Sequence, residues 1–315
     1  MGFLDRLRRS GRPTDPPVPA GAAPSSASPP DVGEAAFAGF RELVHRGADV
    51  DAQRAEIERV LLAHRVPAPL VARFLAGMVE CVALLPAADG DGTPVGARLG
   101  GDAVLPDGAA WPVNSHGSPL RLVAVVDLAT VPGPTPLPAE GTLVVHWDHE
   151  YFEHEPMDFV DATHVRLLPP GGPTSSPAPP DDASRFGPIP LRPVTTILPS
   201  DTDALEDDAI PSDVPAWDLL DALLGVCPYQ LLGPSRDIQG PVLDEVAYWF
   251  EHALTSTTER FDAAELAGEG WMLLAQFDEA DGLEFGDAGA LYLLIPEADL
   301  AAARFDRVMG VMQCH

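Results

Sequence analysis

Gln276 and Asp278 stand two residues apart in Trp271-Met-Leu-Leu-Ala-Gln-Phe-Asp278, and Asp287 follows in Phe285-Gly-Asp-Ala-Gly289. In an extended strand, residues i and i+2 face the same way, so the amide and the first carboxylate share one surface. Two carboxylates and an amide can hold a cation or polarise a substrate. A structural reading stands beside this one. An Asp in a Gly-rich turn satisfies backbone N–H groups, and Asp127 and Asp278 could cap the ends of equivalent strands. Gln239, just before Gly240, and Gln276 both fall in otherwise apolar segments. A glutamine there is costly unless its amide is paired. The two predict either a buried bridge between loop and strand or the floor of a small cleft, with Gln276 buried and bonded to backbone in both cases.

The densest cluster of metal-ligand types is His146-Trp-Asp-His149-Glu-Tyr-Phe-Glu-His154. The preceding Thr142 to Val145 reads as strand, which sends His146 and His149 to opposite faces. A metal site would need a turn after Trp147 to bring the imidazoles together. The alternative is an acidic, solvated loop. Trp111, beside Pro112, suits either a groove lining or a plug at one end of a β core. No nucleophile elbow, phosphate-binding Gly loop or dinucleotide fingerprint is present. No catalytic residue, cofactor or metal is therefore assigned.

Charge narrows the partners. The 315-residue chain has no lysine, and its net charge is −29. Residues 1–75 carry 10 Arg against 9 Asp/Glu, whereas residues 76–315 carry 9 against 39. A body of that sign repels phosphate backbones and favours solubility and basic partners. Three cysteines, Cys81, Cys227 and Cys314, have no metal or redox spacing, which fits buried free thiols in a reducing compartment. The start lacks the apolar core of a signal peptide, and no apolar run is long enough to span a bilayer. These features predict a cytoplasmic protein.

The elements that must position these residues change character along the chain. Residues 1–9 suit a short basic amphipathic helix or a frayed start, and residues 1–33 read as a disordered tail. Residues 34–90 read as a helical segment packing on the body. Its second helix runs Asp51 to His64 with Asp51 as N-cap, and its third runs from Leu70 through Met78 and Cys81 to Leu85. Strands are expected at 120–127, 142–147, 160–168, 185–198, 271–278, 289–295 and 305–313. A Pro/Gly/Ser run at 169–182 reads as a disordered loop. Helices are expected at 213–224, capped by Asp213, and at 242–254.

The two β-rich stretches look alike. Leu99-Gly-Gly101 matches Leu232-Gly-Pro234, Leu122-Val-Ala-Val-Val-Asp127 matches Leu273-Leu-Ala-Gln-Phe-Asp278, and Gly141-Thr-Leu-Val-Val145 matches Gly289-Ala-Leu-Tyr-Leu293. The order is conserved between them, which suggests a duplicated unit. Gly100-Gly101, Leu105-Pro106, Trp111-Pro112, Ile238-Gln-Gly240, Ala275-Gln-Phe-Asp278, Gly286-Asp-Ala-Gly289, Asp299-Leu300 and the closing Gln313-Cys314 also resemble the motifs of the YwqG-like family, a bacterial domain of unknown function. The resemblance covers about residues 95–315, within a duplicated β-rich domain expected at 91–315, and is strongest at the C-terminus. It departs at Val125-Val126-Asp127, where the family has Gln-Ile-Asp, at Pro234-Ser235 in place of Tyr-Pro, and at Phe285 in place of Trp. It implies an architecture rather than a reaction. Relatives beside bacterial toxin genes suggest an immunity-type role.

The resulting expectation is an α+β protein. Its mostly antiparallel, duplicated β core has two pseudo-equivalent halves, an N-terminal helical segment and inserted helices. Its expected function is that of a non-catalytic interaction protein whose acidic surface inhibits a basic protein partner, with no role in nucleic-acid binding. The ligand-contacting candidates are Trp111, Gln239, Gln276, Asp278 and Asp287. The alternative is a small-molecule or metal-dependent enzyme using the carboxylates of Asp278 and Asp287.

Overall fold

A computed structural model describes residues 32–87, 95–150, 162–180, 185–205, 209–246 and 270–315. The expected N-terminal helix and tail, residues 1–31, lie outside this set. Two long strands form the spine. β1 (Met78–Pro86) pairs antiparallel with β8 (Ile189–Pro199) from Met78↔Pro199 to Pro86↔Leu191. A short strand flanks each side of this ladder: β9 (Tyr229–Leu231) beside β1, and β2 (Ala97–Leu99) beside β8.

Two three-stranded meanders extend the sheet from there. One is β4 (Arg121–Asp127), β5 (Thr142–Trp147) and β6 (Thr163–Leu168). The other is β10 (Trp271–Asp278), β11 (Ala290–Pro296) and β12 (Met309–Gln313). The ten strands run β12-β11-β10-β9-β1-β8-β2-β4-β5-β6. The sheet curls into a nearly closed barrel. Gly310 of β12 lies so close to β5 and β6 that a Cβ there would sit 2.1 Å from Thr163 Oγ1 and 2.5 Å from the Trp147 ring.

One apolar cluster fills the inside of this curl, drawing Leu84 from β1, Leu99 from β2, and Val126, Val145, Trp147, Phe277, Leu293 and Ile295 from the two meanders. The outer face of β1 and β8 is covered by helices: α1 (Val32–Ala36), α2 (Ala38–His45), α3 (Val50–Ala63), α4 (Ala68–Ala76) and α5 (Ala216–Leu224). Phe37, Phe40, Ile57, Phe74, Leu219 and Leu223 pack there on Cys81, Leu85 and Val194. A buried glutamine ties α3 to the spine. Gln53 Nε2 donates to the carbonyls of Ala48 and Thr195, and its Oε1 accepts from Thr196. A last short helix, α6 (Glu297–Ala301), follows β11.

The two meanders share local details. Each first strand is bulged at a matching place, between Leu122 and Ala124 in one and between Leu273 and Ala275 in the other. Gly100 N–H donates to Val123 and Leu232 N–H to Leu274; Asp127 N–H donates to Gly96 and Asp278 N–H to Pro228. Gly100 and Gly101 have φ of 58° and 77°, and Leu232 and Gly233 have 60° and 77°. Arg98 reaches the carbonyls of Gly100 and Asp102 as Gln230 reaches those of Leu232 and Pro234. These pairs shift the sequence match by one residue: Leu231-Leu232-Gly233, not Leu232-Gly-Pro234, stands where Leu99-Gly-Gly101 does.

Several boundaries differ from the sequence reading. The third helix stops at Gly77, and Met78, Cys81 and Leu85 lie on β1. The apolar residues after the glycine fit a strand buried on both faces, where they form a near-continuous run that helical spacing mimics. Asp49, not Asp51, caps α3 by accepting from Ala52 N–H at 2.9 Å. Asp213 does not cap α5, which starts at Ala216 after Pro215. Its carboxylate instead meets Arg65 at 2.6 Å. The final strand begins at Met309 rather than 305. Within the 169–182 run, β7 (Thr174–Ser175) pairs with β3 (Leu105–Pro106), and residues 181–182 lie outside the described set. Residues 242–246 are helical; the rest of that predicted helix is not among the described residues.

Gly310→Ala is expected to force Thr163 and Trp147 apart where the barrel closes. It should lower stability by roughly 1–3 kcal/mol in urea unfolding. An unchanged unfolding midpoint would contradict the close approach of β12 to β5 and β6.

Candidate functional site

Three polar side chains rise from one face of the second meander. Gln276 on β10 stands directly opposite Tyr292 on β11, and Gln313 on β12 stands opposite Ala290, two residues before Tyr292. Alternation along the strands puts all three on the outer face. All are buried, Gln276 with only 1% of its surface exposed. Each holds the segment 235–240 that crosses above them. Gln276 Oε1 accepts from Arg236 N–H at 3.0 Å, and Tyr292 OH donates to the Arg236 carbonyl at 2.6 Å. Gln313 Oε1 accepts from Ile238 and Gln239 N–H at 2.8 and 3.1 Å, and its Nε2 donates to the Gly240 carbonyl. Ile238 packs into the apolar cluster beneath, against Val242, Tyr292 and Val311 among others. An irregular segment is thus ironed onto a sheet because side-chain amides and a phenol replace the backbone partners that it lacks.

This fixes Arg236. Its Nη2 donates to Asp278 Oδ1 at 2.6 Å and to the Pro228 carbonyl at 3.3 Å. Gln276 Nε2 also donates to Asp278 Oδ1, at 3.3 Å. The pair is largely desolvated, with Arg236 at 13% and Asp278 at 30% side-chain exposure, so it is screened less than a surface pair. Further carboxylates crowd the segment. Burial raises the pKa of Asp237, an effect opposed by the Ser235 hydroxyl and helped by Asp244. Burial also raises Glu245, which accepts from Gln313 and feels Asp237.

Above this floor lies an open cleft of about 680 Å³. It is lined by Trp217, Leu220, Asp221 and Leu224 of α5, by Ser235 to Ile238 of the crossing segment, by Gln276, Asp278 and Glu279, and by His315.

The predicted site residues do not all meet here. Gln276 and Asp278 line the cleft. Gln239 is exposed, and only its backbone N–H joins the network. The loop-to-strand bridge exists, but Gln313 and Tyr292 make it with Gln276. Apolar neighbours in sequence bury a strand residue but not one on a loop's outer edge. Asp287 is exposed and is not among the cleft-lining residues, although Ala288 and Gly289 are. Nor does Asp287 serve the turn N–H groups: Glu279 Oε1 accepts from Phe285 and Gly289. Trp111 sits on the other meander, donating to the Leu120 carbonyl at 2.9 Å with its ring edge-on to His146.

The histidines also separate. His146 packs on Trp111 and His164, while His149 lies beside Glu150. His154 is outside the described residues. Among the described residues, no three His, Cys, Asp or Glu side chains are placed to hold a metal. The sequence reading missed Trp217, Arg236, Glu279, Tyr292 and Gln313. Tyr292 and Gln313 lay inside quoted motifs, but nothing in the sequence pairs them with a segment more than fifty residues away.

Fold and site describe a barrel-like α+β protein with a polar cleft over its second meander. The chain belongs to the family described as Domain of unknown function (DUF1963), whose model matches residues 97–314. No curated protein matches it. No helix among the described residues is long and apolar enough to cross a membrane.

Gln276→Leu leaves Arg236 N–H without its acceptor and should cost roughly 1–3 kcal/mol of stability in thermal or urea melts. Gln313→Leu strands two N–H groups and should cost more. The reverse order would contradict this account of the bridge.

His146 supplies a pH test. It is fully buried, and neither ring nitrogen has a hydrogen-bond partner among the described residues. Burial first, then the charges of His164 and Arg166, push its pKa down to about 3. The unfolded value is about 6.5, so between these limits the unfolded chain binds a proton that the folded chain refuses. Stability therefore falls as pH drops from about 7 toward 4. The raised carboxyls of Asp237 and Glu245 act in the opposite sense, so the comparison must be with a variant. His146→Leu should flatten the fall in urea midpoint between pH 7 and pH 4.5. Parallel pH profiles for the two proteins would refute this.

Proposed function

We propose that this chain is a non-catalytic binding protein of the cytoplasm that presents an acidic face to a basic protein partner, with the cleft above Gln276 and Asp278 as its seat. The observation that carries the reading is the balance of charge in the cleft. Asp221, Asp237, Asp278 and Glu279 line it against a single arginine, Arg236, and Asp278 already neutralises that arginine. The remaining carboxylates favour a cationic ligand, and the anionic body steers such a partner toward it. An enzyme using Asp278 and Asp287 is less well supported. The Asp278 carboxylate is engaged by Arg236 and Gln276, and Asp287 does not line the cleft.

The immunity-type role and membership of the YwqG-like group belong to the same reading and rest on the motif residues. So does the duplication. In that view Val125, Val144 and Leu168 stand where Gln276, Tyr292 and Gln313 stand. They form an apolar cluster with Leu105 and Leu122, which Trp111 flanks. Asp127, the counterpart of Asp278, caps a local turn through Ala129 N–H. Matching bulges and turn dihedrals support descent from one unit, of which only the second copy carries a polar ladder.

The test is association of the full chain with a synthetic oligo-arginine peptide at two salt concentrations. Binding should weaken at least ~10-fold between low and high salt. An Asp237→Asn/Glu279→Gln double variant should weaken it at low salt, and Asp287→Asn should not. Absence of binding, or salt-insensitive binding, counts against the reading.

A further inference from the structure

Trp217 is the most exposed large apolar side chain among the described residues, at 60%. It lies in the first turn of α5, a helix whose Leu219, Leu220 and Leu223 are otherwise well buried. Asp221 follows at i+4, so indole and carboxylate lie on one helix face. Both line the cleft together with Arg236, Asp237 and Glu279. An aromatic face left in water costs burial energy that the rest of the helix gains. Here it forms the lip of a carboxylate-lined cleft. A planar cation laid on an indole gains from the ring quadrupole, and its N–H fork can reach a neighbouring carboxylate.

We propose that Trp217 and Asp221 form the seat for one arginine side chain of the partner, its guanidinium stacked on the indole and forked onto the Asp221 carboxylate. This inference rests on the binding role proposed above and names the group recognised. Arginine is favoured over lysine because a point-like ammonium offers neither a stacking plane nor a fork. The cleft, at about 680 Å³, exceeds one side chain, so the residues flanking that arginine would meet Asp237 and Glu279. Arg236 stays tied to Asp278 at the base and keeps the floor from taking a second cation.

The experiment uses the full chain with oligo-arginine and oligo-lysine peptides of equal length, measured by calorimetry. Wild type should bind oligo-arginine more tightly than oligo-lysine. Trp217→Ala should weaken the arginine peptide ~10-fold and remove most of the preference. Asp221→Asn should weaken it several-fold. Asp107→Asn, which removes the same charge from an exposed site outside the cleft, should have little effect. Trp217 and Asp221 are both exposed, so these variants should fold, and melts will verify it. If wild type binds oligo-arginine in a salt-dependent way but Trp217→Ala binds equally well, or if Asp221→Asn and Asp107→Asn weaken it alike, this seat is wrong while the broader role stands. If wild type binds neither peptide, both fall.

Discussion

The ladder between β1 and β8 holds the molecule together. It joins strands separated by more than a hundred residues, pairing Met78 with Pro199 at one end and Pro86 with Leu191 at the other. Both meanders hang from it through the short strands β9 and β2. One face gives Val82, Leu84 and Leu191 to the barrel interior, and the other gives Cys81, Ala83, Leu85 and Val194 to the helices. A strand pair buried on both faces has no polar side to spare, so β1 reads as an almost continuous apolar run. Loop closure over this separation costs entropy before any contact forms. The apolar burial on both faces, with the Gln53 bonds across to β8, offsets that cost.

With the spine in place, the outer faces of the two meanders are free to differ. The first is sealed by apolar packing, with Trp111 lying edge-on to a buried His146. The second carries Gln276, Tyr292 and Gln313, and these hold a loop rather than a strand. A polar ladder under a loop defines that loop's position more narrowly than apolar packing does, because each bond has a direction and each missing bond leaves a desolvated group. Arg236 is held at both ends, by its backbone through Gln276 and Tyr292 and by its guanidinium through Asp278. Arg236 and Asp278 thus neutralise each other in the cleft, while Asp221, Asp237 and Glu279 leave its lining with a net negative charge.

Much of the fold was legible from residue order alone. Period-two or continuous apolar runs marked β4, β5, β10 and β11 within a residue or two. Gln276 was recognisable as a paired, buried amide, since a lone amide in an apolar strand has to find partners. Two misreadings show where local pattern runs out. Met78, Cys81 and Leu85 keep helical spacing inside a strand buried on both faces, so periodicity could not separate the two. Gln239 has apolar neighbours but sits on a loop, where burial depends on what lies beneath.

By itself, then, the sequence determined the local elements, the acidic body, the absence of lysine and the need for Gln276 to be satisfied. These follow from side-chain chemistry and short-range geometry. Tertiary structure decided which groups satisfy it. Gln313 reaches Ile238 and Gln239 across 75 and 74 residues, and Arg236 reaches Asp278 across 42. It also decided that Trp217 and Asp221 border the same cleft as Asp278 while Asp287 does not. Those outcomes depend on strand register and on how far the sheet curls, and both are set by packing between distant segments, which no local pattern encodes.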